Sequence, residues 1–354
     1  MSRVHKPLEG AAGENLLVRL PNWVGDALLA TPALHALRRT LPRSHICVLA
    51  KPWVAPLFEA SPDCDEVFTY ERPGRHAGIV GLWLLCRELR CRRFGAAVLF
   101  QNAFEAALIS RLARIPVRAG YATDARGLLL NHAVPVNGAK SLHEADYYLR
   151  LVECLGGDCR VDRRLRLTLP EWAERAGDRR LAELGLEGVP LIGLAPGAQY
   201  GTAKRWPAER FAAVGDALVA ATAGAAIIFG SRGEQDVARS VAERMRGRCF
   251  DLAGKTPLLE AAAVISRLAV FITNDSGLMH LAAALSVPLV AVFGPTDERR
   301  TSPLGRQSRL VRHSFECAPC LKRHCPTDHR CMLAITPEEV LGEALGLLEV
   351  FSPA

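Results

Sequence analysis

Short apolar runs alternate with longer segments in which apolar residues recur every three or four positions, and the alternation spans most of the 354-residue chain. Asn15–Leu20, Ile46–Ala50, Val67–Tyr70 and Ala96–Phe100 read as strands, because near-continuous apolar runs suit strands covered on both faces. Between them, Asp26–Arg39, Ile79–Arg93 and Ala103–Ala113 have helical spacing, and the second carries the basic run Arg87, Arg90, Arg92 and Arg93. A charged helical segment, Glu171–Leu186, and a turn at Glu187–Pro190 follow, and then the pattern restarts. Strands are predicted at Leu191–Ala195, Ala225–Phe229, Ala269–Thr273 and Leu289–Phe293. Helices are predicted at Pro207–Ala221, Gln235–Met245, Leu258–Leu268, Leu278–Leu285 and Pro337–Phe351. Strands alternating with helices imply a parallel sheet with helices on both faces, here twice over. The fold class is therefore α/β, in two halves joined near residue 180.

Ser276–Thr296 carries no Asp, Glu, Lys or Arg and is long enough to span a bilayer. Gly277, His280, Pro288, Gly294 and Pro295 break it, so it reads as a short buried helix and a buried strand. Hydrophobic residues at 49% and charged residues at 23% exclude a disordered or fibrous chain. The length favours two domains. The net charge is +7, and it is uneven: residues 1–175 hold 24 Lys and Arg against 18 Asp and Glu, the remainder 20 against 19. A basic first half suggests an anionic partner. The start lacks an apolar leader before Glu14, and 11 cysteines, an odd number, argue against a disulfide framework. Both point to the cytoplasm, with room for a peripheral contact with a membrane.

In open parallel sheets, ligands bind beyond the C-terminal ends of the strands, where helix N-termini present free N–H groups. Three strand-to-helix junctions carry chemistry there. The first, Pro21–Asp26 (PNWVGD), offers Gly25 for close approach and Asp26 at a helix start. Asp26 is a good helix cap, and it is also a carboxylate facing the mouth of the sheet, suited to a general base. The helix end favours its ionised form, so it would take a hydroxyl proton late in a concerted displacement. The second junction, Pro196–Trp206 (PGAQYGTAKRW), is glycine-rich, with Lys204 a point charge for phosphate, although it is not a P-loop. The third, Asn274–His280 (NDSGLMH), places Asp275, Ser276, Gly277 and His280 at a helix start, a pyrophosphate site in which Asp275 can bind a sugar hydroxyl. G-x-G-x-x-G, G-x-S-x-G and H-E-x-x-H signatures are absent, which removes support for hydride transfer and serine hydrolysis.

The segments PNWVGDALLATPALHALRR, PGAQYGTAKRWP and TNDSGLMHLAAALSVPLVAVFGPTD resemble the motifs of the family 9 glycosyltransferases, and among them the ADP-heptose:lipopolysaccharide heptosyltransferases. The closing CAPCLKRHCPTDHRCMLAITPEEV resembles the heptosyltransferase II subgroup. The resemblance runs from about Asn15 to the end. It implies a GT-B fold of two Rossmann-like domains facing a central cleft: an acceptor-binding domain at 1–180, a donor-binding domain at 181–335, and a helix at 336–354 crossing back to the first. It implies transfer of L-glycero-D-manno-heptose from ADP-heptose to the heptose of heptosyl-Kdo2-lipid A, with inversion and no cofactor. Asp26 matches the family's base and Lys204 a donor-phosphate lysine. Asp275, Ser276, Gly277 and His280 match its D-[ST]-G-x-x-H motif. Phosphate-binding threonines of the family fall near Gln199 and Tyr200, and Glu234 corresponds to an acidic residue that binds the nucleoside. Arg72, Arg75, Arg111, Arg114, Arg118 and Arg126 are candidates for contacts with Kdo carboxylates and lipid A phosphates.

Cys317, Cys320, Cys325 and Cys331, with His324 and His329 between, resemble a structural zinc site, but the spacing misses the C-x2-C-x4-H-x4-C knuckle at two places. The reading adopted is no metal. Alternatives are a family 9 enzyme acting on another donor or acceptor, as in heptosyltransferases I and III, and a non-enzymatic nucleotide or nucleic-acid binder. Aromatic residues are only 6% and do not interleave the basic ones, so no nucleic-acid partner is expected.

Overall fold

The computed structural model describes Leu8 and residues 13–351. The chain divides into two compact units, residues 1–168 and 169–354.

The first unit runs β1 (Leu16–Arg19), α1 (Val24–Leu29), α2 (Thr31–Thr40), β2 (Ile46–Ala50), β3 (Glu66–Thr69), α3 (Gly78–Cys91), β4 (Ala96–Leu99), α4 (Phe104–Leu112), β5 (Val117–Tyr121), β6 (His132–Val134) and α5 (Glu144–Cys154). Its six strands are parallel, in the order β3-β2-β1-β4-β5-β6. On one face of the sheet, Leu17, Cys47, Leu49, Ala97 and Leu99 pack with Leu85, Leu89, Ala107 and Ile109 of the helices.

The second unit runs α6 (Glu171–Glu183), β7 (Leu191–Ala195), α7 (Ala208–Thr222), β8 (Ala225–Ile228), α8 (Gln235–Ala242), β9 (Cys249–Asp251), α9 (Leu258–Ile265), β10 (Val270–Asn274), α10 (Gly277–Ala284), β11 (Leu289–Val292), α11 (Glu298–Thr301), β12 (Ser308–Val311), α12 (Arg330–Leu333) and α13 (Pro337–Phe351). Its order, β12-β11-β10-β7-β8-β9, is that of the first sheet read from the other edge. Both sheets therefore reverse direction beside their first strand, at β1/β4 and β7/β10, and such switch points are where these folds bind ligands.

The boundary falls after Thr168, earlier than the expected 180, because α6 packs along α9. The helices meet closely at Gly177, where a Cβ would come within 2.6 Å of the Ala263 Cβ. The final helix belongs to the second unit: Val340, Ala344 and Leu347 are buried in the core that α7 and the sheet share. The single helix expected over Asp26–Arg39 is two, α1 and α2, divided at Ala30 with Pro32 just inside α2. Proline lacks an N–H and its ring meets the carbonyl four residues back, so the helix restarts there. The uncharged stretch from Ser276 is α10 followed by β11, and among the described residues no helix is long and apolar enough to cross a membrane.

Candidate active site

Each junction lies at the C-terminal edge of its sheet. In the second unit, the loop after β7 and the end of β10 are tied by one buried amide. Asn274 Nδ2 donates to the Pro196 carbonyl at 2.8 Å, and its Oδ1 accepts from the Trp206 N–H at 3.1 Å. A fully buried Asn requires such partners, so the side chain holds both ends of the eleven-residue loop. Within that loop Lys204 Nζ donates to Asp275 Oδ2 at 2.6 Å, and both side chains are nearly buried. The ammonium also lies 5.0 Å from the centre of the Tyr200 ring. Ser276 caps α10 by backbone position, with its hydroxyl 3.3 Å from that of Thr273. The first N–H groups of α10 therefore open beside Lys204 and Asp275, giving a cation and a helix dipole at one point. An oxyanion placed there would meet the helix end and an ammonium already paired with the Asp275 carboxylate. His280 is buried on the same helix. Gly277, one residue past the cap, is half-buried.

Glu234 sits against the loop from the β8 side. A Cβ on Gly197 would come within 2.4 Å of the Glu234 carboxyl carbon, so glycine is what lets the loop pass. The carboxylate accepts from the Ser231 N–H at 2.8 Å and its hydroxyl at 2.7 Å, a capping box. Gln199 is exposed in the same loop. The Tyr200 hydroxyl donates to the Leu321 carbonyl at 2.7 Å, and the Arg323 guanidinium lies 5.4 Å from its ring centre.

The cysteine-rich segment backs this loop. Arg323 O accepts from the Ala203 N–H at 3.0 Å, His329 Nε2 donates to the Ala203 carbonyl at 2.7 Å, and His324 Nδ1 bonds the Thr202 hydroxyl at 3.0 Å. Both histidines are thus engaged with the loop. All four cysteines are free thiols, and among the described residues no three His, Cys, Asp or Glu groups meet as metal ligands. The role of Asn274 and of this backing was not visible in the sequence, because both depend on partners about 70 to 126 residues away.

In the first unit, Asp26 lies half-buried in the first turn of α1, after buried Gly25. Its place after β1 is the counterpart of the Lys204 loop after β7, since β1 and β7 hold the same position in the two sheets. The arginine set divides by edge. Arg72 and Arg75 follow β3 at the edge that Asp26 shares, and they pair with Glu105 and Glu88. Arg111 lies in the last turn of α4, Arg114 in the turn that follows and Arg118 at the start of β5, which is the opposite edge. Arg118 donates to the carbonyls of Leu129, Ile115 and Pro116. Arg126 is fully buried and donates to Tyr121 O at 2.8 Å, Gln101 O and Asn102 Oδ1 at 3.0 Å. Burial lowers its pKa to about 10. Arg126 therefore leaves the set of acceptor contacts: its donors already bind protein. The other three lie at the sheet edge opposite Asp26.

The sequence profile of glycosyltransferase family 9 (heptosyltransferase) matches residues 82–330. The lipopolysaccharide heptosyltransferase 2 of Salmonella typhimurium is 31% identical over 353 residues, covering 94% of this chain and 98% of that one. The lipooligosaccharide heptosyltransferase 2 of Haemophilus influenzae is 32% identical, with 94% and 99% covered. Among solved structures, the ADP-heptose LPS heptosyltransferase II of E. coli superposes with a TM-score of 0.79 at 29% identity, covering 95% of this chain and 99% of that one. A family 9 glycosyltransferase from Veillonella parvula gives 0.86 at 25%, with 96% and 98% covered. With both sheets, both switch points and the glycine-rich and D-S-G-x-x-H loops in place, the chain belongs to glycosyltransferase family 9, the heptosyltransferases, and is a glycosyltransferase with the two-domain Rossmann-like fold of the GT-B class.

Proposed function

We propose that the protein transfers L-glycero-D-manno-heptose from ADP-heptose to the heptose of heptosyl-Kdo2-lipid A, in a single displacement with inversion. The observation that carries the donor site is the Lys204–Asp275 pair at the N-terminus of α10. The acceptor hydroxyl attacks the anomeric carbon and its proton passes to the Asp26 carboxylate. The bond from that carbon to the β-phosphate oxygen breaks, and the electron pair leaves with ADP. Lys204 and the N–H groups of α10 stabilise charge that grows on the β-phosphate, so they act mostly in the transition state. Gly25, Gln199, Tyr200, Glu234, Asp275, Ser276, Gly277 and His280 complete the donor set in this reading. Arg72 and Arg75 remain the acceptor contacts. Relatives named heptosyltransferase 2 match nearly end to end, which supports the lipopolysaccharide acceptor.

The same reading places the protein at the cytoplasmic face of the inner membrane, as a peripheral protein. Ile79, Val80 and Trp83 on α3 support this: they are 88%, 80% and 60% exposed. The Arg87 guanidinium lies 5.3 Å from the Trp83 ring centre. Residues 71–93 hold six arginines against two glutamates. Apolar side chains beside a basic run suit an anionic bilayer surface.

The test of the activity is incubation with ADP-heptose and a heptosyl-Kdo2 acceptor, scored by mass spectrometry. A gain of one heptose is expected, and an unchanged acceptor overturns the assignment.

A further inference from the structure

At the C-terminal edge of the first sheet, two buried cations face one aromatic ring. Arg19 ends β1, Lys51 follows β2 and Tyr70 follows β3, and these three strands are neighbours in the sheet. Lys51 Nζ lies 3.8 Å from the Tyr70 ring centre and donates to the Arg72 carbonyl at 3.1 Å. The Arg19 guanidinium carbon lies 5.5 Å from the same centre. Arg19 donates to Leu20 O at 2.6 Å, Leu49 O at 3.1 Å and Asn22 Oδ1 at 2.6 Å. Exposure of Arg19, Lys51 and Tyr70 is 3%, 6% and 0%. Arg19 Nε and the Tyr70 hydroxyl are buried without a hydrogen-bond partner. Among the described residues, no carboxylate pairs with Lys51 or Arg19.

Charges are rarely buried without a counter-charge, because each loses its hydration and like charges repel strongly at low dielectric. The ring face and the carbonyls answer only part of this. The neighbouring loops supply a further element. Trp23 and Trp53 are about half exposed, and Trp53 Nε1 donates to the carbonyl of Asn22, whose Oδ1 accepts from Arg19, so Trp53 is tied to the loop that holds one of the cations.

We propose that Lys51, Arg19 and Tyr70 form an oxyanion subsite for an acidic group on the sugar acceptor, with the tryptophans flanking it as a sugar platform. This rests on the acceptor reading above. Lys51 supplies the charge, and the Tyr70 hydroxyl and Arg19 Nε supply donors that have no other use. The two sources of such an oxyanion are a sugar-acid carboxylate and a phosphate.

The test separates these sources and needs no transfer step. The wild-type enzyme is titrated with free Kdo, and separately with inorganic phosphate, at neutral pH and followed by calorimetry. Binding of at least one is expected. Lys51→Met is expected to weaken it about tenfold or more, the size of one charge-assisted hydrogen bond. The same substitution should leave ADP affinity unchanged and the melting temperature equal or higher, since an uncompensated cation is removed. Tyr70→Phe, which removes only an unpartnered hydroxyl, should keep the fold and weaken binding several-fold. Dependence on Lys51 with Kdo assigns a carboxylate, and with phosphate alone assigns a phosphate; either supports the subsite. Absence of binding by both probes, or unchanged binding in both variants, overturns it. A negative transfer assay with intact Lys51-dependent binding would instead count against the proposed reaction alone.

Discussion

Asp26, Lys204 and Lys51 differ in what their removal should do. In the proposed reaction, Asp26→Asn keeps size and polarity but cannot accept the proton. A fall in kcat of about 10² to 10⁴ is expected, with ADP affinity by calorimetry unchanged. Lys204→Gln removes one partner of a buried ion pair and leaves Asp275 uncompensated. Breaking such a pair costs about 3 kcal/mol or more, so thermal unfolding should occur earlier, and ADP should restore little of the loss. A melting temperature equal to wild type would show that the pair is not held as described. Lys51 adds a pH dependence. Burial first, and then the charges of Arg19 and Arg72, lower its pKa to about 8 from an ordinary value of 10.5. Tyr70 also faces it, and its own pKa is raised by burial. Between about 8 and 10.5 the unfolded chain holds a proton that the folded chain has lost, so this residue's contribution to stability rises with pH over that window. Below 8 the burial penalty is fully present. The difference in urea stability between wild type and Lys51→Met should shrink across that window, and oxyanion affinity should fall as pH passes 8. A pH-independent difference would contradict the assignment.

At the scale of elements, two segments carry separable tasks. The loop Pro196–Trp206 rests on the segment around Arg323, and Gly201 is where they meet: a Cβ there would lie 2.1 Å from the Arg323 carbonyl oxygen. That obstacle is backbone and cannot swing aside. Gly201→Ala should therefore displace the cysteine-rich segment, seen as faster thiol labelling of buried Cys331 and a weaker ADP affinity. Helix α3 is expected to carry the membrane contact. Ile79→Glu with Trp83→Glu should abolish sedimentation with phosphatidylglycerol vesicles while leaving the melting temperature unchanged, since both side chains are exposed. Persistent sedimentation would place the contact elsewhere. The elements themselves were unevenly legible. The central strands stood out because they are buried on both faces and read as unbroken apolar runs. The flanking strands β5, β6, β9 and β12 did not, since each carries polar or partly exposed positions such as Arg118, His132, Asp251 and Arg309. Pro32 marked the break between α1 and α2 in plain view, and helical spacing on either side concealed it.

Across the whole molecule, the two units repeat one strand order without a repeated sequence. Each has its own buried core. Residues 169–354 expressed alone are therefore expected to unfold in one cooperative transition whose midpoint rises with ADP; an unfolded product would show that this core does not suffice. Local sequence carries hydrophobic period, turn residues and the residue types beyond each strand, because these follow from backbone geometry over a few positions. From them came the α/β class and the three junctions, and the motifs at those junctions carried the resemblance to the family. The pairing of Lys204 with Asp275 across 71 positions follows from β7 lying beside β10. The same holds for the cations around Tyr70, set by β1, β2 and β3 lying side by side, and for the arginines at the far edge. Strand order is chosen by packing of the assembled sheet, and no local preference encodes it. For that reason chemistry along the chain was readable in one dimension, whereas the company each side chain keeps was decided in three.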